Sequence, residues 1–76
     1  MNNARRAALQ AIRTKVIGLQ NDLEALKDEE QEAFDNLPEG LQETERGEKM
    51  EAAVETIESA IYAMEETMDF LNDACE

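Results

Sequence analysis

Apolar side chains recur along this chain in alternating steps of three and four. In the first half the line runs Leu9, Ile12, Val16, Leu19, Leu23, Leu26, then Glu30, Ala33 and Leu37, an a/d heptad seam with one acidic interruption. In the second half it runs Met50, Val54, Ile57, Ile61, Met64, Met68, Leu71 and Cys75 without a break. Both lines predict long amphipathic helices. At 1.5 Å per residue each would be roughly 45 to 50 Å long.

Start and stop signals frame the same two elements. Asn2 or Asn3 can cap the first helix, predicted over residues 3 to about 36. Pro38 and Gly40 end it, since proline removes a donor and glycine permits a positive φ. The turn is expected over 37–43 and the second helix over about 44–74. Thr44 is placed as its N-cap, with Glu45 and Glu48 near its positive end. Gly47 stands on the seam within the first turn, where a close approach by Leu37 or Phe34 would explain a residue that costs roughly 1 kcal/mol in helix propensity.

Charge supports an antiparallel arrangement. Residues 1–20 hold Arg5, Arg6, Arg13 and Lys15 and no acid, which opposes the helix dipole. The last turns of the second helix make the mirror-image choice with Glu65, Glu66, Asp69 and Asp73. Folding one helix back on the other brings these ends together, with Leu9 near Cys75, Val16 near Met68 and Leu26 near Ile57. The fold class is therefore all-α, one domain spanning residues 1–76: an antiparallel two-helix hairpin of coiled-coil type. Ala53, Ala60 and Ala74 widen the apolar stripe of the second helix, and Ile17, Phe34, Tyr62 and Phe70 lie off both seams. A homodimer forming a four-helix bundle would cover much of this surface, with Ala53, Ile57, Ala60, Met64 and Leu71 as the oligomerisation residues.

Composition narrows the function. Of 76 residues 19 are acidic and 7 basic, for a net charge of −12, and there is no histidine. The regular apolar spacing argues against a disordered acidic chain. A single cysteine excludes a disulfide framework, and Cys75 reads as a small buried apolar residue. Without histidine, the usual zinc sites, Glu-x-x-His di-iron sites and nucleophile–base pairs have no donors, and there is no EF-hand or glycine-rich phosphate loop. The expectation is a non-enzymatic protein without cofactor or metal. Direct nucleic-acid binding is disfavoured by the charge, and no apolar run approaches the roughly 20 residues of a membrane span. The N-terminus carries no secretory h-region, so a cytoplasmic location in a bacterial host is expected.

The acids are unevenly spread. From Lys27 to Glu51 there are ten acids against Lys27, Arg46 and Lys49, a net of −7. One chain offers −12 over roughly 50 Å, about one charge per 4 Å; a dimer approaches one per 2 Å, near the 1.7 Å per charge of a nucleic-acid duplex. Candidate partner-binding residues are Glu32, Asp35, Glu39, Glu43, Glu45 and Arg46. The acids would meet a basic protein surface, and Arg46 would brace the turn by pairing with Asp35 or Glu43.

The phrase DEEQEAFDNLPEGLQ at 28–42, followed by Thr44 and by ERGE at 45–48, resembles a recurrent family of small helical proteins encoded in bacteriophage and prophage genomes. The resemblance covers nearly half the chain. It implies a phage origin and carries over no binding residue. By class analogy, small acidic phage proteins without catalytic residues act against host machinery, as anti-CRISPR and anti-restriction proteins do. The alternatives are a structural or assembly component of a helical bundle, and an oligomeric sponge holding a small signalling nucleotide through Arg5, Arg6, Arg13 and Lys15.

Overall fold

The computed structural model describes every residue from Met1 to Glu76. The chain is all-helical: α1 is Asn3–Asp35, α2 is the single turn Glu39–Gln42, and α3 is Glu45–Cys75. α3 lies along α1, and Arg6 near the start of the chain hydrogen-bonds the main-chain carbonyl of Glu76 at its end (3.3 Å). The result is a rod of 59 × 15 × 12 Å.

Each helix boundary has a local cause. Asn2 stands in an extended conformation and its Oδ1 accepts from the Arg5 amide at 2.8 Å, satisfying one of the unpaired donors at the start of α1. α1 stops at Asp35 because Pro38 has no N–H to continue a helix and pushes Leu37 out of the helical region. The segment expected as turn is partly helical: the Pro38 carbonyl accepts from the amides of Leu41 and Gln42 and closes α2. Gly40 lies within that turn, and no residue of the chain has a positive φ, so glycine's left-handed freedom is not what ends α1. Thr44 occupies the N-cap position of α3, but its hydroxyl donates backwards to the Leu41 carbonyl instead of capping. The first turn of α3 relies on Glu45 and Glu48 beside its positive end.

α2 is what closes the rod. The Gln42 side chain donates from Nε2 to the carbonyls of Phe34 (3.2 Å) and Leu37 (3.3 Å), at the end of α1 where carbonyls lack helical partners. The main chain of the same residue lies on Gly47: a β-carbon there would sit 2.6 Å from the Gln42 carbonyl carbon and 2.8 Å from its Cα. The close approach that Gly47 permits is thus to the Gln42 backbone, not to Leu37 or Phe34. Gly47 is buried, and Phe34 is one of only two buried apolar residues, the other being Ile61.

The seam of α3 falls as the spacing indicates. From Met50 to Cys75 every one of its positions is buried or half-buried. On α1 the positions Leu9, Val16, Leu23 and Glu30 are sheltered, as is Leu37 just beyond its end, but their companions are not Ile12, Leu19, Leu26 and Ala33. Those four are exposed. Gln20, Lys27 and Phe34, one position further along, are sheltered instead. Phe34 is therefore a core residue, and Leu26 does not share a core layer with Ile57. Seating Phe34 against the closed end rotates α1 about its axis and swings its second apolar line outwards. Ile12, Leu19 and Leu26 remain 46%, 51% and 54% exposed. About half of the ~1.5–3 kcal/mol that full burial of each side chain offers is left unrealised.

Two glycines give opposite expectations. Gly47→Ala gains helix propensity yet must push the Gln42 backbone away, and we expect a net loss of ~1–3 kcal/mol. Gly18→Ala, in the interior of α1 with nothing within 4 Å of the new methyl, should stabilise by ~0.5–1 kcal/mol. Chemical denaturation followed by circular dichroism at 222 nm reads both; equal effects would contradict this account of the turn. Gln42→Ala strips hydrogen bonds from two carbonyls and should cost ~1–2 kcal/mol in the same assay.

Candidate interaction surfaces

The turn end is built by α2 and the two helix ends that flank it. Glu32 and Asp35 project from the last turn of α1, Glu39 and Glu43 from α2 and its C-cap, and Glu45 and Arg46 from the first turn of α3. All six are exposed. Asp35 accepts from Gln31 Nε2 at 3.0 Å, and Glu45 pairs with Lys49 at 3.1 Å. Arg46 forms no ion pair with Asp35, Glu43 or any other acid; the molecule's two ion pairs are Glu45–Lys49 and Glu24–Lys27. The small helix explains why. It spaces Glu43 along its own axis and aims Arg46 away, into a groove shared with Glu30, Glu45, Lys49, Met50 and Ala53. That groove is open and about 500 Å³ in volume.

Of the ten acids between Lys27 and Glu51, nine are exposed, Glu30 alone is half-buried, and only Glu45 is ion-paired. No three carboxylates converge on a point that could hold a metal ion. What the arrangement offers is a broad negative field rather than a cage. At the opposite end, Arg5, Arg6, Arg13 and Lys15 do not reach ion-pair distance of the acids of α3; the side-chain link is the Arg6 hydrogen bond to the Glu76 carbonyl.

The sides of the rod differ from one another. Gln20, Asn21 and Glu24 of α1 line one edge together with Ile61 and Glu65 of α3. Residues two apart on a helix are separated by about 200°, so Leu26 points away from Glu24, and Ala60 and Thr67 point away from Glu58 and Glu65. The exposed apolar line of α1 and the small-residue line of α3 therefore share the second edge. Of the residues expected to serve oligomerisation, Ile57, Met64 and Leu71 are half-buried along the line that faces α1, Ala53 is half-buried beside it, and Ala60 is open on the second edge. The three-four spacing points Ile12, Leu19 and Leu26 to the internal core, but nothing in that spacing distinguishes an inward line from an outward one. No helix is long and apolar enough to cross a membrane.

Tyr62, the sole tyrosine, lies on the polar side. Its hydroxyl donates to Glu58 at 2.8 Å, and that hydrogen bond, reinforced by the negative charge of Glu58, holds its pKa above the ordinary value of 10.0. A folded-state pKa that is raised means the folded chain keeps its proton longer. The stabilisation is present below pH 10 and is lost as pH rises through the folded value. Ultraviolet titration of the phenol should show a midpoint above 10 that falls in Glu58→Gln; an unchanged midpoint would remove Glu58 as the cause.

Comparison with protein-family models, curated proteins and solved structures finds no match to this chain.

Proposed function

We propose that this chain is a non-enzymatic, phage-encoded interaction protein whose acidic turn end docks onto a basic protein surface. In this reading the helices form a stable antiparallel hairpin, two copies associate as a four-helix bundle, and the partner is a nucleic-acid-binding protein of the host's defence, approached as a duplex would be. The observation that carries the reading is the exposure of nine of the ten turn-end acids with a single ion pair among them. Neighbouring bases could have neutralised that field. Instead it faces solvent, with Glu45 alone paired, on a closed end held by Gln42 and Gly47. Docking through it buries charge against charge, so affinity would follow the salt concentration. The phrase that resembles phage and prophage proteins supports the setting, a bacterial cytoplasm.

A second reading has its own observation in favour. The exposed line Ile12, Leu19 and Leu26 is the kind of surface an assembly component would use, with the acids serving solubility.

Capture from bacterial lysate on the tagged protein, washed at about 0.1 M and again at about 0.5 M salt, separates the two. A nucleic-acid-binding protein retained at low salt and lost at high salt is the expected result. A partner that survives high salt would move the assignment to the apolar edge. The triple reversal Glu39→Lys, Glu43→Lys and Glu45→Lys should weaken capture more than ten-fold with unchanged helicity, since the Glu45–Lys49 pair it removes is an exposed one worth little. Full retention of binding would place the docking surface elsewhere.

A further inference from the structure

The second edge of the rod is the part of the molecule least at ease in water. From Ala53 onward its positions on α3 are Ala53, Thr56, Ala60, Ala63, Thr67 and Phe70, with no charge among them, although α3 and the C-terminal residue together hold ten acids; Arg46 and Lys49 continue the same lines only toward the turn. Phe70 is 65% exposed. The two threonines do not need water: Thr56 and Thr67 donate to the carbonyls of Ala52 (2.8 Å) and Ala63 (3.0 Å) on their own helix. Beside this strip runs the line Ile12, Leu19 and Leu26. The surface ledger agrees. A compact monomer of 8.6 kDa exposes about 4,700 Å², whereas this chain exposes 5563 Å². The excess of about 900 Å² is close to the ~800 Å² that one partner contributes to a stable interface.

We propose that this edge is covered by a second copy of the chain, packed with its turn at the opposite end of the bundle. The inference rests on the dimer proposed above and adds its face and its direction. Charge selects the direction. Residues 27–51 carry a net −7, while at the other end Arg5, Arg6, Arg13 and Lys15 stand against Glu65, Glu66, Asp69, Asp73 and Glu76, a near balance of four to five. Turns at the same end would stack −7 on −7. Turns at opposite ends set each acidic end beside a nearly neutral one.

The spacing fits the same direction. A two-fold axis perpendicular to the rod lays α1 antiparallel on α1 and α3 antiparallel on α3. Leu19 is the midpoint of Ile12 and Leu26, so with the axis at Leu19 it meets Leu19 of the second copy, and Ile12 meets Leu26 of that copy. Lys15 then falls beside Asp22 of the second copy, twice by symmetry. On α3, Ala60 faces Thr67 of the second copy and Ala53 faces Ala74, small against small, which lets those two helices approach closely. The arrangement with both turns together would instead lay the α1 ridge on the small residues of the other copy's α3, and it is the competing outcome of the test.

The lone thiol, Cys75, lies at the open end of the rod and reports the direction without any substitution. A nitroxide on Cys75, read by pulsed dipolar spectroscopy, should give a distance of about 35 Å, because the register that sets Ala60 against Thr67 sets Cys75 level with Ala52 of the second copy, about 23 helical residues away. A distance of about 20 Å, the width of two helices, would overturn the opposed arrangement and leave the dimer standing. Sedimentation equilibrium of the unlabelled chain tests the dimer itself; a monomer mass at all concentrations overturns both. A second variant avoids labelling the terminus. In a Cys75→Ser background, Leu19→Cys should cross-link to a covalent dimer on oxidation with copper phenanthroline, and Tyr62→Cys on the polar side should not. Equal cross-linking of the two would overturn the assigned face. Loss of lysate capture in the turn-end reversal bears on docking alone and leaves these outcomes unchanged.

Discussion

Gln42 holds the molecule together by doing two things at one place. Its amide nitrogen reaches back to the carbonyls of Phe34 and Leu37, and its main chain lies directly on Gly47. The first contact ties α2 to the end of α1; the second ties it to the start of α3. A side chain at 47 would separate them. With the two helix ends fixed at this distance, Phe34 is enclosed, and its enclosure sets the rotation of α1 about its own axis for the thirty residues that precede it. Which apolar line of α1 looks inward, and which looks out, follows from that one closure.

This explains what could and could not be read from the residues in order. On α3 the large aliphatic residues from Met50 to Leu71 fall on one line, so spacing alone locates its seam. α1 offers two choices beside the shared positions Leu9, Val16 and Leu23: a line through Ile12, Leu19 and Leu26, or one through Gln20, Lys27 and Phe34. By hydrophobicity the first wins. The chain takes the second because a single phenylalanine at the closed end outweighs three aliphatic residues that have another edge to use. Arg46 stands apart from Asp35 and Glu43 for a related reason. Its proximity to Asp35 and Glu43 in sequence suggested a brace, but the helical turn at 39–42 redirects the chain between them. The acidic character of the turn end needed no structure to see, whereas its having a single ion pair did.

The phrase at 28–48 acquires a structural meaning from the same contacts. Phe34, Leu37, Pro38, Gln42 and Gly47 are the residues that stop α1, fold α2 and seat α3. The acids between them are the positions that no packing contact constrains. The phrase is therefore first a way of making one tight corner between two long helices. The charged positions that it carries outward are available for other work.

The rod is also graded along its length. Contacts at the corner join residues separated by five to eight positions in sequence, while Arg6 and Glu76 at the far end are 70 apart. Closing a short loop costs little chain entropy, and each turn of contact shortens the loop that the next must close. Folding in this geometry resembles a zipper drawn from the corner outward, fast because its contacts are largely made in sequence order. In the folded chain the same gradient runs in reverse. The open end is tied by one hydrogen bond, so opening begins there, and amide exchange and proteolysis would enter at the termini and travel inward toward the corner.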